Sequence, residues 1–238
     1  MTEPKKPKRY WLYPFLVILV RAIARVLLKL DIQGAEHIPP IGPVLLIGNH
    51  INFLDPPLAY IINRRYVKGM TAVETKGRFL FNFFAWGVDA IYVERGTPDR
   101  RALQACIDAL QSGWALYLAP EGTRSGDGRM QKGLAGVTLV LLRAGTHIPV
   151  CPIAYIGLEH FWANIKRLRR TPVQVIVGEP FYVSPPPGRA GREVRDQITA
   201  EMMSQIAVKL PPENRGVYAD QANQPPQYLR FASARSTD

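Results

Sequence analysis

The stretch GNHINFLDP at residues 48–56 sets His50 five residues before Asp55, directly after the apolar run VLLIG. An imidazole can take up or release a proton near neutral pH. A carboxylate bonded to its second ring nitrogen fixes the tautomer and stabilises the imidazolium that forms. Residues i and i+5 do not share a face of an ideal helix. The spacing therefore suits a turn that curls Asp55 back toward His50. On residue types alone a second reading stays open, in which Asp55 is a helix N-cap and His50 a polar strand end.

Three further stretches follow strands or form them. PEGTRS at 120–125 puts Glu121, Gly122, Thr123 and Arg124 in one turn. Arg124 can fork onto a phosphate while backbone N–H groups near Gly122 help hold the anion; a solvated Glu–Arg surface pair is the competing reading. GVDAIYVERG at 87–96 ends a strand in Arg95, either a solvated charge or a second cation for the same cleft. IPVCPIAY at 148–155 is an apolar strand with two prolines, which by itself points to an edge or a bulge.

Taken in order, these four stretches resemble the glycerolipid acyltransferase family, the enzymes related to 1-acyl-glycerol-3-phosphate acyltransferase. The family's first block reads N-H-x-x-x-x-D, its second ends in arginine, its third contains P-E-G-T-R and its fourth is a proline-bearing strand. Here these look like Asn49-His50 with Asp55, Gly87 to Arg95, Pro120 to Arg124, and Ile148 to Pro152. The approach GAEHIPPIGPVLLIGNH and the connecting run QKGLAGVTLVLLRAGTHIPV are also similar, so the likeness extends over about 33–180. Asn52 stands where many members carry serine, and Leu118-Ala119 where an aromatic often precedes the proline. Both departures bear on substrate fit.

The resemblance implies transfer of a fatty acyl group from acyl-CoA or acyl-carrier protein to the sn-2 hydroxyl of lysophosphatidic acid, giving phosphatidic acid. Another lysophospholipid acceptor, or a non-catalytic lipid-binding homologue, are the alternatives. His50 is then the base and Asp55 its orienter. Arg95 and Arg124 become phosphate clamps, with Glu121, Gly122 and Thr123 shaping the turn at the acceptor's polar end; Asn49 and Lys132 are further candidates. No G-x-S-x-G elbow occurs in the chain, which favours direct attack over an acyl-serine route. No bound cofactor and no metal are expected. The aromatic segment 79–86 reads either as a lining for the acyl chain or as ordinary core.

The elements that must position these residues read as strands alternating with helices. Strands are expected over 31–34, 44–48, 66–73, 88–93, 114–119, 148–155 and 173–177. Helices are expected from Asp55, from Thr97-Pro98, and over 134–143 and 191–209. This alternation predicts an α/β fold, a mixed, largely parallel sheet flanked by helices. Residues 31–210 form the acyltransferase domain. Residues 211–238 are Pro/Gln/Asn/Ser-rich and read as a disordered tail.

Residues 1–30 read as a separate, membrane-associating segment. A basic start is followed by YWLYPFLVILV, and Arg21, Arg25 and Lys29 then recur at a spacing of four, which places them on one helical face. A cationic helix of this kind lies in the headgroup layer. A signal peptide, a core helix and a short tilted span are the other readings. The apolar run falls short of the roughly 20 residues a span needs.

The 238-residue chain carries a net charge of +11, which suits an anionic partner. An anionic membrane surface, a lysophospholipid and the acyl donor all meet that description. Nucleic acid is anionic too, but no helix-turn-helix, RNP or zinc pattern supports it. Cys106 and Cys151 lie far apart and read as buried thiols in a reducing compartment. Together with the flanking positive charge, they predict a monotopic protein on the cytoplasmic face of a membrane.

Overall fold

The computed structural model describes residues 8–188 and 190–231. Helices are α1 (Tyr13–Leu27), α2 (Asp55–Ile62), α3 (Phe79–Gly87), α4 (Arg100–Gln111), α5 (Gly136–Ala144), α6 (Phe161–Lys166) and α7 (Arg192–Ala207). Strands are β1 (Leu28–Gln33), β2 (Val44–Gly48), β3 (Val67–Ala72), β4 (Ile91–Val93), β5 (Ala115–Leu118), β6 (Val150–Ile156), β7 (Thr171–Val177), β8 (Phe181–Val183) and β9 (Leu229–Phe231). Among the described residues they form one nine-stranded sheet in the order β1-β7-β6-β2-β5-β3-β4, with β8 paired to β6 and β9 to β8.

The sheet is mixed and mostly parallel, as the alternation of elements predicts. β2 lies in parallel between β5 and β6 (Leu45 opposite Leu116 and Val150). Every residue of β2 is buried, because helices cover both faces. Val44 and Leu46 enter one core with α1, α2 and α6. Leu45 and Ile47 enter the other with α4, α5 and α7. The period of two along a strand makes this division, and each fully buried leucine or isoleucine contributes about 1.5–3 kcal/mol.

Several expectations need correction. Pro152 lies in a central strand, not at an edge. Its carbonyl accepts from the Gly178 N–H at 2.8 Å, so its missing donor faces the break where β6 changes partner from β8 to β7. The expected domain boundary at 30/31 falls inside β1, which pairs with β7 from Leu28 onward. α1 therefore ends at Leu27, and Lys29 stands on a strand rather than on the cationic helix face. α1 also packs into the core through Tyr13, Leu16, Val17 and Ala24.

The tail is corrected too. Tyr218, Ala222 and Leu229 are buried in the second core and β9 closes the sheet against β8. Residues 1–7 and 232–238 lie outside the described residues. No described helix is long and apolar enough to cross a membrane.

Candidate active site

The site begins where β2 ends. A Cβ at Gly48 would stand 2.8 Å from the hydroxyl of Tyr117 and from the ring of Tyr155. Only glycine lets these two rings, edge to face at 6.4 Å, close beneath the strand end. Asn49 follows, 1% exposed. Its amide donates to Tyr155 O (3.0 Å) and its Oδ1 accepts from Tyr155 N (2.8 Å). The side chain continues the β2–β6 ladder, and its polar atoms serve the backbone rather than a substrate.

His50 is then held by three bonds. Its N–H donates to Glu121 Oε1 (2.9 Å), its carbonyl accepts from Ser125 N (2.8 Å), and its ring Nδ1 lies 2.8 Å from Asp55 Oδ2. The turn curls as the spacing requires. Asp55 is fully buried and is not the expected N-cap; that position belongs to Leu54. Its Oδ2 instead accepts from the Ile51 and Asn52 N–H groups at 2.7 and 2.9 Å as well as from His50. A carboxylate at Nδ1 makes that nitrogen the protonated one, which leaves Nε2 with a free lone pair. Burial raises the Asp55 carboxyl above its ordinary value, while the imidazole and the two backbone donors pull the other way.

Glu121 ties the second loop to the first. It is 5% exposed, and its Oε2 accepts from Gln131 N at 2.9 Å while Oε1 serves His50. Burial pushes its carboxyl up to about 7 against the pull of these donors. With both oxygens committed to backbone N–H groups, Glu121 positions the two loops. Gly122 has φ +72°, and its N–H donates to Ala119 O (3.1 Å). It shapes the turn, and that N–H is not aimed at an anion.

The cations divide. Arg124 and Lys132, both exposed, line an open groove of about 580 Å³ with Ser125, Asp127, Arg129 and Gln131. Thr123 is exposed and donates to Gln131 Oε1 at 3.4 Å. Because Ser125 bonds to His50, this groove borders the histidine. Arg95 does not join it. It is exposed after β4, three strands from β2 in the sheet order, which is roughly 15 Å at about 4.8 Å per strand.

Other contributors were not visible in the sequence motifs. Arg129 adds a third cation to the groove. The segment 214–218 braces the loop: Met130 N donates to Asn214 O, Asn214 Nδ2 to Gly128 O, and Gly133 N to the Tyr218 hydroxyl. Tyr218, an aromatic within a polar stretch, was the available signal. Phe53, between His50 and Asp55, meets Phe81, Phe161 and Trp162 with ring centroids 5.6–5.8 Å away. These rings set an apolar wall beside the polar nook. Among the described residues no group of three His, Cys, Asp or Glu is arranged to hold a metal ion.

The arrangement can take a proton at His50 Nε2, stabilise the resulting imidazolium with Asp55, and offer cations on one side and apolar rings on the other. Comparison with known proteins points the same way. The sequence profile of the acyltransferase family matches residues 29–156. A chloroplastic 1-acyl-sn-glycerol-3-phosphate acyltransferase from Brassica napus is 28% identical over 164 residues, covering 66% of this chain and 46% of the relative. One from Chlamydomonas reinhardtii is 29% identical over 200 residues, covering 82% of this chain and 57% of the relative. The chain thus spans about half the length of these relatives. The crystal structure of the 1-acyl-sn-glycerophosphate acyltransferase from Thermotoga maritima superposes with a TM-score of 0.63 at 22% identity, over 81% of this chain and 77% of that one. The likeness is one of fold.

Proposed function

The chain belongs to the acyltransferase family, and on that premise we propose that it moves a fatty acyl group from acyl-CoA or acyl-carrier protein to the sn-2 hydroxyl of lysophosphatidic acid. The observation that carries this reading is the buried 2.8 Å contact between His50 Nδ1 and Asp55 Oδ2 at a strand end, beside a cationic groove and an aromatic wall.

An alcohol is a weak nucleophile until its proton is removed as it attacks. His50 Nε2 takes that proton while the hydroxyl oxygen bonds to the thioester carbonyl carbon. The tetrahedral adduct collapses, the carbon–sulfur bond breaks, and the imidazolium returns the proton to the leaving thiolate. Asp55 holds the ring and stabilises its charged form. Arg124, with Arg129 and Lys132, takes the acceptor's phosphate. Phe53 and its neighbours border the acyl chain. Arg95 stands outside this constellation, and only a part of a substrate that reaches across β3 and β5 would meet it.

The site works at a bilayer interface, into which the lysophospholipid and the long acyl chain partition. The outward side of α1 supports this: Phe15, Ile18, Leu19, Ile23 and Val26 are exposed at helical spacing, opposite the stripe that enters the core. Both cysteines are buried and free, in keeping with a cytoplasmic face. The test is to incubate detergent-purified protein with lysophosphatidic acid and labelled acyl-CoA beside a His50→Ala variant. Phosphatidic acid is expected from the wild type, with a loss of about 10²–10⁴-fold in the variant. Equal product from both would remove His50 as the base. Product only from another lysophospholipid would transfer the reading to that acceptor.

A further inference from the structure

The turn after α6 carries Lys166, Arg167, Leu168, Arg169 and Arg170, all exposed. Its fold is specific. Leu168 N donates to Ile165 O (3.0 Å) and Arg169 N to Asn164 O (2.9 Å), the two bonds of a Schellman helix end. That motif needs a left-handed residue one place beyond the cap, and the position is usually glycine. Here it is Leu168, at φ +53° and 97% exposed. A leucine there costs backbone strain and leaves a whole apolar side chain in water. The fold gains nothing from either.

The turn sits at the end of the sheet that carries His50. β6 runs parallel to β2 and leads into Leu158, whose carbonyl accepts from Asn52 Nδ2 (3.1 Å). α6 follows, with Trp162 58% exposed and its ring 5.6 Å from that of Phe53 beside the catalytic pair. At its other end the turn is tied to the junction of α1 and β1, for the Arg170 guanidinium donates to the carbonyl of Leu28, the residue that follows α1. It therefore bridges the aromatic rim of the site and the end of the helix whose outer stripe is apolar. No Asp or Glu occurs from residue 160 to 178, and among the described residues Lys166, Arg167 and Arg169 form no ion pair within 4.0 Å.

We propose that this turn is a docking element for an anionic lipid bilayer: Lys166, Arg167 and Arg169 engage headgroup phosphates while Leu168 and Trp162 enter the interfacial layer. An apolar tip ringed by cations fits a surface that is anionic outside and apolar within. An acidic protein would match the cations but offers Leu168 no comparable apolar layer. The inference rests on the interfacial reading of α1 and adds to it a second contact that sets the mouth of the site against the membrane.

The test uses the full chain, vesicles of phosphatidylcholine alone, and vesicles with roughly one-third phosphatidylglycerol. A Lys166→Gln, Arg167→Gln, Arg169→Gln variant should bind the anionic vesicles about a hundredfold less, near fivefold per cation, with little change on the neutral ones. Arg100→Gln with Arg101→Gln and Arg143→Gln, exposed on α4 and α5 across the sheet, removes the same three charges as a net-charge control and should change little. Leu168→Gly should raise the melting temperature, since glycine suits the left-handed position, yet weaken binding to both vesicles roughly tenfold. Ile18→Ser with Leu19→Ser tests α1 separately. If that pair leaves binding intact, the interfacial reading fails. If it abolishes binding while the turn variants bind like wild type, the turn proposal alone is overturned. Turn variants that keep vesicle binding but lose activity only with acyl-carrier protein would also overturn it, in favour of an acidic protein partner.

Discussion

The strand-end nook and the helical layer beside it depart from the usual distribution of residues in opposite directions. In the nook Asn49, His50, Asp55 and Glu121 are polar and buried. In the layer Phe15, Ile18 and Leu19 of α1 and Phe79, Leu80 and Trp86 of α3 are apolar and exposed. α4, α5 and α7, on the other face of the sheet, contribute no exposed large apolar residue. Scattered exposed leucines are ordinary, but buried polar groups and contiguous apolar surface carry information. The nook spends its polar atoms on one geometry at one histidine. The layer leaves its apolar atoms for something outside the chain. Both are costly to the fold by itself, and the proposed acyl transfer at a bilayer would account for both.

The sharpest way to break the nook is Asp55→Asn. The variant is nearly isosteric, yet it removes the carboxylate that holds the His50 tautomer and the charge that stabilises imidazolium. The rate constant for turnover should fall by about 10³-fold or more while acceptor KM changes little. A loss under tenfold would mean that Asp55 merely braces the Ile51–Asn52 turn.

How much of this was legible in the sequence follows from how local each feature is. The His50–Asp55 contact needed only a turn; the residue spacing allowed it beside an N-cap reading, and the order of the four stretches singled it out. The mixed sheet followed from alternating periods. The role of Glu121 was not legible, because its partners, His50 N and Gln131 N, are backbone groups that any sequence supplies. The same holds for Asn49. Residues 211–238 read as a tail because their apolar residues are few and irregularly spaced. Tyr218 and Leu229 nevertheless find places in a core built by distant elements. α3 fits neither expectation for residues 79–86 fully. Only Ala85 and Gly87 are buried, and the helix reaches the site through Phe81 against Phe53.

That half-answered case gives the second test, aimed at the layer. Phe79→Ser with Leu80→Ser removes side chains that are 80% and 76% exposed. Ordinary core truncations of this size cost about 2–5 kcal/mol each. Exposed ones lie within about 0.5 kcal/mol. Thermal stability should therefore hold, while activity on vesicle-borne acceptor falls severalfold and activity in detergent does not. A large drop in melting temperature would place α3 in the core after all and remove the contrast.

The smallest expected effect sharpens the nook against ordinary buried polar sites. Glu121 titrates at about 7 rather than 4.5 because it is buried. Between those values the folded protein holds a proton that the unfolded chain has released. Its contribution to stability is thus fully present below about pH 4.5 and is lost as pH rises through about 7, by at most about 3 kcal/mol. Glu121→Gln cannot lose a proton, so this slope should vanish from its denaturation curves. The variant also presents an NH₂ to one of two backbone donors, which costs about 1–3 kcal/mol at any pH. It should be less stable than wild type at about pH 5, with a gap that narrows toward about pH 8. A gap independent of pH would mean that Glu121 stays ionised throughout, held by the His50 and Gln131 N–H groups more strongly than burial opposes them.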